Sequence, residues 1–229
     1  MILSGNQMEI EILDLVSKSS DIQSMPPLPS KYFLWAEGGI ICGSKILLCK
    51  QKCLFFKPEY KHFQIADFQP SVSGSGVMID NKLLLVGGAT NRTELVNETN
   101  VFEGQPVPFL KVYHVCLVKV NHSTVAMIGG FKTNSRTNET WFIHFDADSQ
   151  KYAKGPHLSR ARNLFGCELF HYRDETYIIA VGGNGNGDQT EPTDKTTEFL
   201  NLKDMEWKNG KNQYQSQIMF YIKTFIQDR

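Results

Sequence analysis

The chain has no excess of charge: 24 Lys and Arg balance 24 Asp and Glu over 229 residues. With no long run of one sign, that balance argues against the clustered basic face a nucleic-acid binder needs, and no nucleic-acid partner is expected. No apolar stretch is long enough to cross a bilayer as a helix. The longest are strand-sized and broken by polar residues, so no transmembrane segment is expected. The opening Met1-Ile2-Leu3-Ser4-Gly5 lacks the basic and long apolar regions of a signal peptide. That points to a cytoplasmic protein, with an extracellular one as the alternative if the natural start is missing. Cysteine is sparse and odd in number: Cys42, Cys49, Cys53, Cys116 and Cys167. No disulfide framework is recognisable, so reduced, buried thiols are expected. The close pair Cys49 and Cys53 has no second pair of matching spacing to complete a zinc site.

What the chain does have is repetition. Three times an apolar run ends in a double glycine: Leu84-Leu85-Val86-Gly87-Gly88, Ala126-Met127-Ile128-Gly129-Gly130 and Ile179-Ala180-Val181-Gly182-Gly183. The pairs recur after about 42 and about 53 residues, a period typical of propeller-type repeats. Each pair ends the second arm of an expected hairpin. Val77 to Ile79 turns at Asp80-Asn81 into Leu83 to Val86. Val115 to Val120 turns at Asn121-His122 into Thr124 to Ile128. Cys167 to Tyr172 turns at Arg173-Asp174-Glu175 into Tyr177 to Val181. These arms are almost continuously apolar, which implies burial on both faces.

A polar loop and a more alternating strand follow each pair, as in Thr140 to Phe145 and Thr197 to Leu202. A tight turn then leads to an outer strand with one aromatic, Tyr152 or Trp207. Pro-rich or basic loops come next, seen at Met25 to Lys31 and at Gly155 to Arg162. Earlier units are degenerate. Ile2 to Gly5 reads as a second strand whose first arm is missing, with Glu9 to Leu15 as a third strand. Gly39 to Cys42 and Lys45 to Leu48 form a hairpin with Cys49-Lys50 in place of the glycines.

Four strands per unit is the propeller pattern. On the glycine pairs, Tyr152 and Trp207, and the Pro/Leu/Arg loops, residues 1–212 resemble the kelch-repeat family. The expected fold is all-β, a propeller of about five four-stranded antiparallel blades. The β-prone tail, residues 213–229, either supplies the first strand that the opening unit lacks and closes the ring, or leaves it incomplete. WD40 propellers are disfavoured by the absence of Gly-His and Trp-Asp dipeptides, and an immunoglobulin-like sandwich by the absence of a Cys-Trp-Cys arrangement.

Little of the sequence names chemistry. His114, His157 and His171 lack metal-ligand spacing and an acidic partner in frame. Gly182 to Asp188 looks like a phosphate-cradling loop, but Thr190, Pro192 and Thr193 continue it as a surface loop where a helix would be needed. Ser73-Gly74-Ser75-Gly76 lacks the spacing of a nucleophile elbow. No catalytic residue, metal or cofactor is expected, and the chain reads as non-enzymatic. Four glycosylation sequons, at Asn91, Asn97, Asn121 and Asn138, keep a secreted or cell-surface glycoprotein as an alternative. A propeller enzyme, of sugar-acid isomerase or copper oxidase type, is the other.

The resemblance also implies where partners bind: on the face built by the loops between second and third strands and by the links between blades. Mapped here, that face holds the candidates Tyr32, Trp35, Arg92, Arg136, Arg160, Arg162 and Asn184. Arg and aromatics are favoured at binding hot spots. The expected function is a protein–protein interaction module that takes a protein or peptide, in substrate recognition or as a scaffold.

Overall fold

A computed structural model of the chain describes the backbone of seven strands up to residue 65, and side chains over most of 75–210. Residues 81, 89, 98, 99, 110, 147, 148, 186–195 and 211–229, and the segments between the early strands, lie outside that description. The candidates Tyr32 and Trp35 and the tail 213–229 therefore fall outside it too.

The described residues are all strand, turn and loop, with no helix among them. Strands β1 (Ile2–Leu3), β2 (Glu9–Asp14) and β3 (Ser19–Ser24) form a three-stranded sheet. Next come β4 (Gly39–Cys42), β5 (Lys45–Cys49), β6 (Cys53–Lys57) and β7 (His62–Ile65), a four-stranded sheet in sequence order. Strands β8 (Ser75–Ile79), β9 (Lys82–Val86), β10 (Thr93–Val96) and β11 (Val101–Glu103) repeat that order.

A connector carrying β12 (Val112–Tyr113) leads to β13 (Cys116–Asn121) and β14 (Thr124–Ile128). The short hairpin β15 (Phe131–Lys132) and β16 (Ser135–Arg136) precedes β17 (Thr140–Phe145) and β18 (Gln150–Lys154). A second connector carries β19 (Arg162–Asn163) into β20 (Gly166–Tyr172), β21 (Glu175–Val181), the short β22 (Asn184–Gly185), β23 (Thr197–Asn201) and β24 (Glu206–Asn209). The last two units each form a four-stranded antiparallel meander, β13-β14-β17-β18 and β20-β21-β23-β24.

The continuously apolar second strands are buried on both sides, as their composition requires. All five residues of β14 are buried. Val125 and Met127 join Leu84, Val86 and Val112 in a core against the preceding sheet. Ala126 and Ile128 join Leu158, Phe165, Ile178 and Leu200 in a core against the following one. Each buried Val, Leu, Ile, Met or Phe side chain among them contributes about 1.5–3 kcal/mol by removal from water. The middle sheet is thus held by its neighbours on both faces.

Three devices recur at the seams. A glycine follows each of the last three outer strands, and its N–H donates to the carbonyl of the threonine that opens the third strand: Gly104 to Thr93, Gly155 to Thr140 and Gly210 to Thr197. A Cβ at Gly155 would lie 2.7 Å from the Phe142 ring, so a side chain there collides with the core. The outer-strand aromatics stitch each unit to the one before. The Tyr152 hydroxyl donates to the Gln105 carbonyl at 2.6 Å, and Trp207 Nε1 to that of Pro156 at 3.1 Å. Finally, each connector passes close beneath a glycine pair. Gly88 N–H donates to Val112 O, and Gly130 N–H to Arg162 O. A Cβ at Gly129 would sit 2.6 Å from that same Arg162 oxygen, and its φ of 58° is in the left-handed region that glycine tolerates.

Two expectations are corrected. Cys116 and Cys167 are not reduced thiols. They form a disulfide between β13 and β20, the first strands of adjacent sheets, with Cα atoms 6.0 Å apart, inside the ordinary range for a bridge. The segment after Gly183 does not begin as a free loop. Asn184–Gly185 pairs antiparallel with Arg162–Asn163.

Candidate functional site

The glycine pairs lie at one end of the strands, and the short strands gather there. At the seam before the middle sheet, Tyr113 lies opposite Phe131, and Phe131 opposite Arg136. At the next seam Asn163 lies opposite Asn184. Arg136 joins the two: its Nε donates to Asn163 Oδ1 at 3.1 Å. The result is a row, Tyr113–Phe131–Arg136–Asn163–Asn184, that crosses from one unit to the next. The hairpin that presents it is turned by Thr133, whose φ is 30°. Arg136 is half-buried and Asn163 buried, so the guanidinium is held at its base, and one of its five donors is committed to Asn163.

Beside the row stands a second polar group. Lys132 Nζ pairs with Glu139 Oε2 at 2.5 Å and lies 4.3 Å above the Phe109 ring. Trp141 Nε1 donates to the same carboxylate oxygen at 2.8 Å. Partial burial alone would raise the Glu139 pKa. The hydrogen bonds from Lys132 and Trp141 outweigh it, and the carboxyl sits below the usual range.

The other candidates fall elsewhere. Arg92 is exposed and pairs loosely with the equally exposed Glu103 at 3.7 Å, which holds it toward the outer strand. Arg160 is exposed on the second connector. Arg162 is corrected: it is not a surface residue. It is fully buried, its Nη2 lies 2.6 Å from Glu198 Oε1, and Glu198 is fully buried as well. Its Nη1 donates to the carbonyls of Gly182 and Thr196. Glu198 in turn accepts the Ser159 N–H at 2.6 Å. A basic loop reads as solvated in sequence. Here the connector carbonyl is drawn under Gly130, and the side chain that follows has only the next sheet to enter. Asn163 was missed in the sequence because it is an ordinary loop residue there; its alignment with Tyr113, each the second residue of a connector strand, was the available signal.

At the opposite end an open depression of about 350 Å³ is lined by Val120, His171, Asp174, Glu175, Thr176, Leu202 and Lys203. Its mixed charge differs from the mostly apolar lining of small-molecule sites. Among the described residues, no three His, Cys, Asp or Glu side chains converge as a metal set would. No described helix is long and apolar enough to cross a membrane.

No family model and no curated protein matches the chain. Solved structures do. The structure of YjhT superposes with a TM-score of 0.74 at 10% identity, covering 92% of this chain and 79% of YjhT. The chain has a β-propeller-like, all-β fold. A fungal alcohol oxidase of the AA5 family, in complex with copper, superposes with a TM-score of 0.59 at 10% identity, over 76% of this chain and 42% of the oxidase. At that identity, the likeness reaches the architecture alone.

Proposed function

We propose that the chain is a non-enzymatic, kelch-like propeller that binds a protein partner at the end marked by its glycine pairs. Its blades number about five. The observation that carries the binding reading is the Arg136–Asn163 bond across a seam. It holds a guanidinium on the strand next to Phe131, which in turn lies opposite Tyr113. Arginine next to aromatics is hot-spot chemistry, and a held guanidinium pairs well with carboxylates. The partner is therefore an acidic protein segment.

The test is affinity capture from the native source with wild-type protein and the variants Arg136→Ala, Asn184→Ala and Arg92→Ala. Capture of a protein with an acidic segment should fall about tenfold or more for Arg136→Ala, fall less for Asn184→Ala, and hold for Arg92→Ala. Equal capture by wild type and Arg136→Ala overturns the reading.

A further inference from the structure

The four sequons divide between the two ends of the sheets. Asn91 and Asn138 sit between second and third strands, at the glycine-pair end, and each gives its carbonyl to the connector: Asn91 to Val107 N–H and Asn138 to Leu158 N–H. Asn97 and Asn121 lie at the far end, Asn97 just after β10 and Asn121 at the last position of β13, where its hairpin turns.

A glycosylated asparagine carries a bulky glycan on its amide Nδ2, so in the folded chain that atom has to point into solvent. At Asn138 it does not. The residue is half-buried, and its Nδ2 donates to the Leu158 carbonyl at 2.9 Å, which pins the second connector to the middle sheet. At Asn91 the following threonine, Thr93, is fully buried, with its hydroxyl donating to Gln105 O at 2.8 Å. Asn121 is different. It is exposed at the tip of a hairpin, and its Oδ1 accepts the Ser123 N–H at 2.9 Å, which leaves the carbonyl side engaged with the turn. The sequon at Asn97 includes Glu98 and Thr99, which lie outside the described residues.

A second observation is independent of the sequons. The Cys116–Cys167 disulfide belongs to oxidising compartments, the same ones in which N-glycosylation takes place.

We propose that Asn121 carries an N-linked glycan and that Asn138 does not. The donor is an oligosaccharide activated as a lipid-linked glycosyl diphosphate. A bond forms between Asn121 Nδ2 and the anomeric carbon, the bond from that carbon to the phosphate oxygen breaks, the diphosphate departs, and Nδ2 gives up one proton. The glycan projects from the end opposite the row built on Arg136, so it leaves that row open. The inference rests on strand direction and exposure and is independent of the binding reading.

The test starts with peptide mass spectrometry of the protein from its native source, before and after peptide-N-glycosidase. The expected result is enzymatic conversion of Asn121 to Asp, unmodified Asn138, and the Cys116 and Cys167 peptides recovered as a linked pair. In a eukaryotic secretory host, Ser123→Ala should lose one glycan in gel mobility. Ser123→Thr should keep it, and Asn138→Gln should change nothing. Unmodified Asn121 or free Cys116 and Cys167 thiols in the native protein overturn the proposal. So does a Ser123→Ala variant that migrates with wild type.

Discussion

The two connectors occupy the same place in successive units and hold it by opposite chemistry. In the first, the carbonyl accepting the glycine N–H belongs to Val112, a buried apolar residue, and the next position, Tyr113, faces Phe131. In the second the same carbonyl belongs to Arg162, and the next position, Asn163, faces Asn184. The third strands answer in kind. Thr140 and Thr197 open them in equivalent registers, and the residues that follow are Trp141, packed on the core containing Val112, and Glu198, paired with Arg162. An apolar pair and an ion pair thus serve one structural position. The repeat dictates where the backbone runs, and the side chains at that point are exchangeable as pairs but not singly. A buried ion pair replaced by well-packed apolar groups is often neutral, whereas losing one partner strands a charge.

The largest expected effect tests that exchange. Arg162→Ala should destabilise by about 3–5 kcal/mol in urea unfolding, because Glu198 is left charged in the core. The double variant Arg162→Leu with Glu198→Leu should recover most of the loss. A double variant as unstable as the single would show that the two connectors are not alternatives. On the apolar side, Val112→Ala opens a cavity without stranding a charge, and should cost about 2 kcal/mol.

The seam stitches are weaker. Tyr152→Phe removes the bond to Gln105 and should cost about 1 kcal/mol. Burial raises the Tyr152 hydroxyl to about 12, above its ordinary 10. The folded chain therefore favours the neutral phenol. This contribution is whole below pH 10, is lost as pH rises through about 12, and should be missing from the Tyr152→Phe pH profile. The smallest effect is at Glu139. Its lowered carboxyl favours the charged form in the fold, so its contribution is present above the ordinary value of 4.5 and is lost as pH falls below it. Glu139→Gln should flatten the acid limb of the stability profile by a few tenths of a kcal/mol.

Most of the architecture was legible because the signals are local. Hairpin turns, apolar second arms and glycine pairs each follow from neighbouring residues, and all six paired glycines adopt positive φ. The glycine that follows an outer strand was equally present in the sequence, as Gly104, Gly155 and Gly210, but a lone glycine after a strand reads only as a turn. Arg162 was misjudged for a different reason. Its neighbours make a polar loop, and its burial follows from a glycine some thirty residues earlier that draws the connector inward. The disulfide was hidden likewise. Cys116 and Cys167 are 51 residues apart, about one repeat, and meet because their strands open adjacent sheets.

Arg162 holds the scaffold at this end, Arg136 is the arginine proposed to face a partner, and a single comparison tests that division. Thermal unfolding and partner capture are measured together for Arg162→Ala and Arg136→Ala. Arg162→Ala should unfold far below wild type. Arg136→Ala should cost only about 1 kcal/mol, the loss of its one bond to Asn163, and lose the partner. An Arg136→Ala protein that melts as early as Arg162→Ala, or that still captures the partner at the wild-type level, would contradict it.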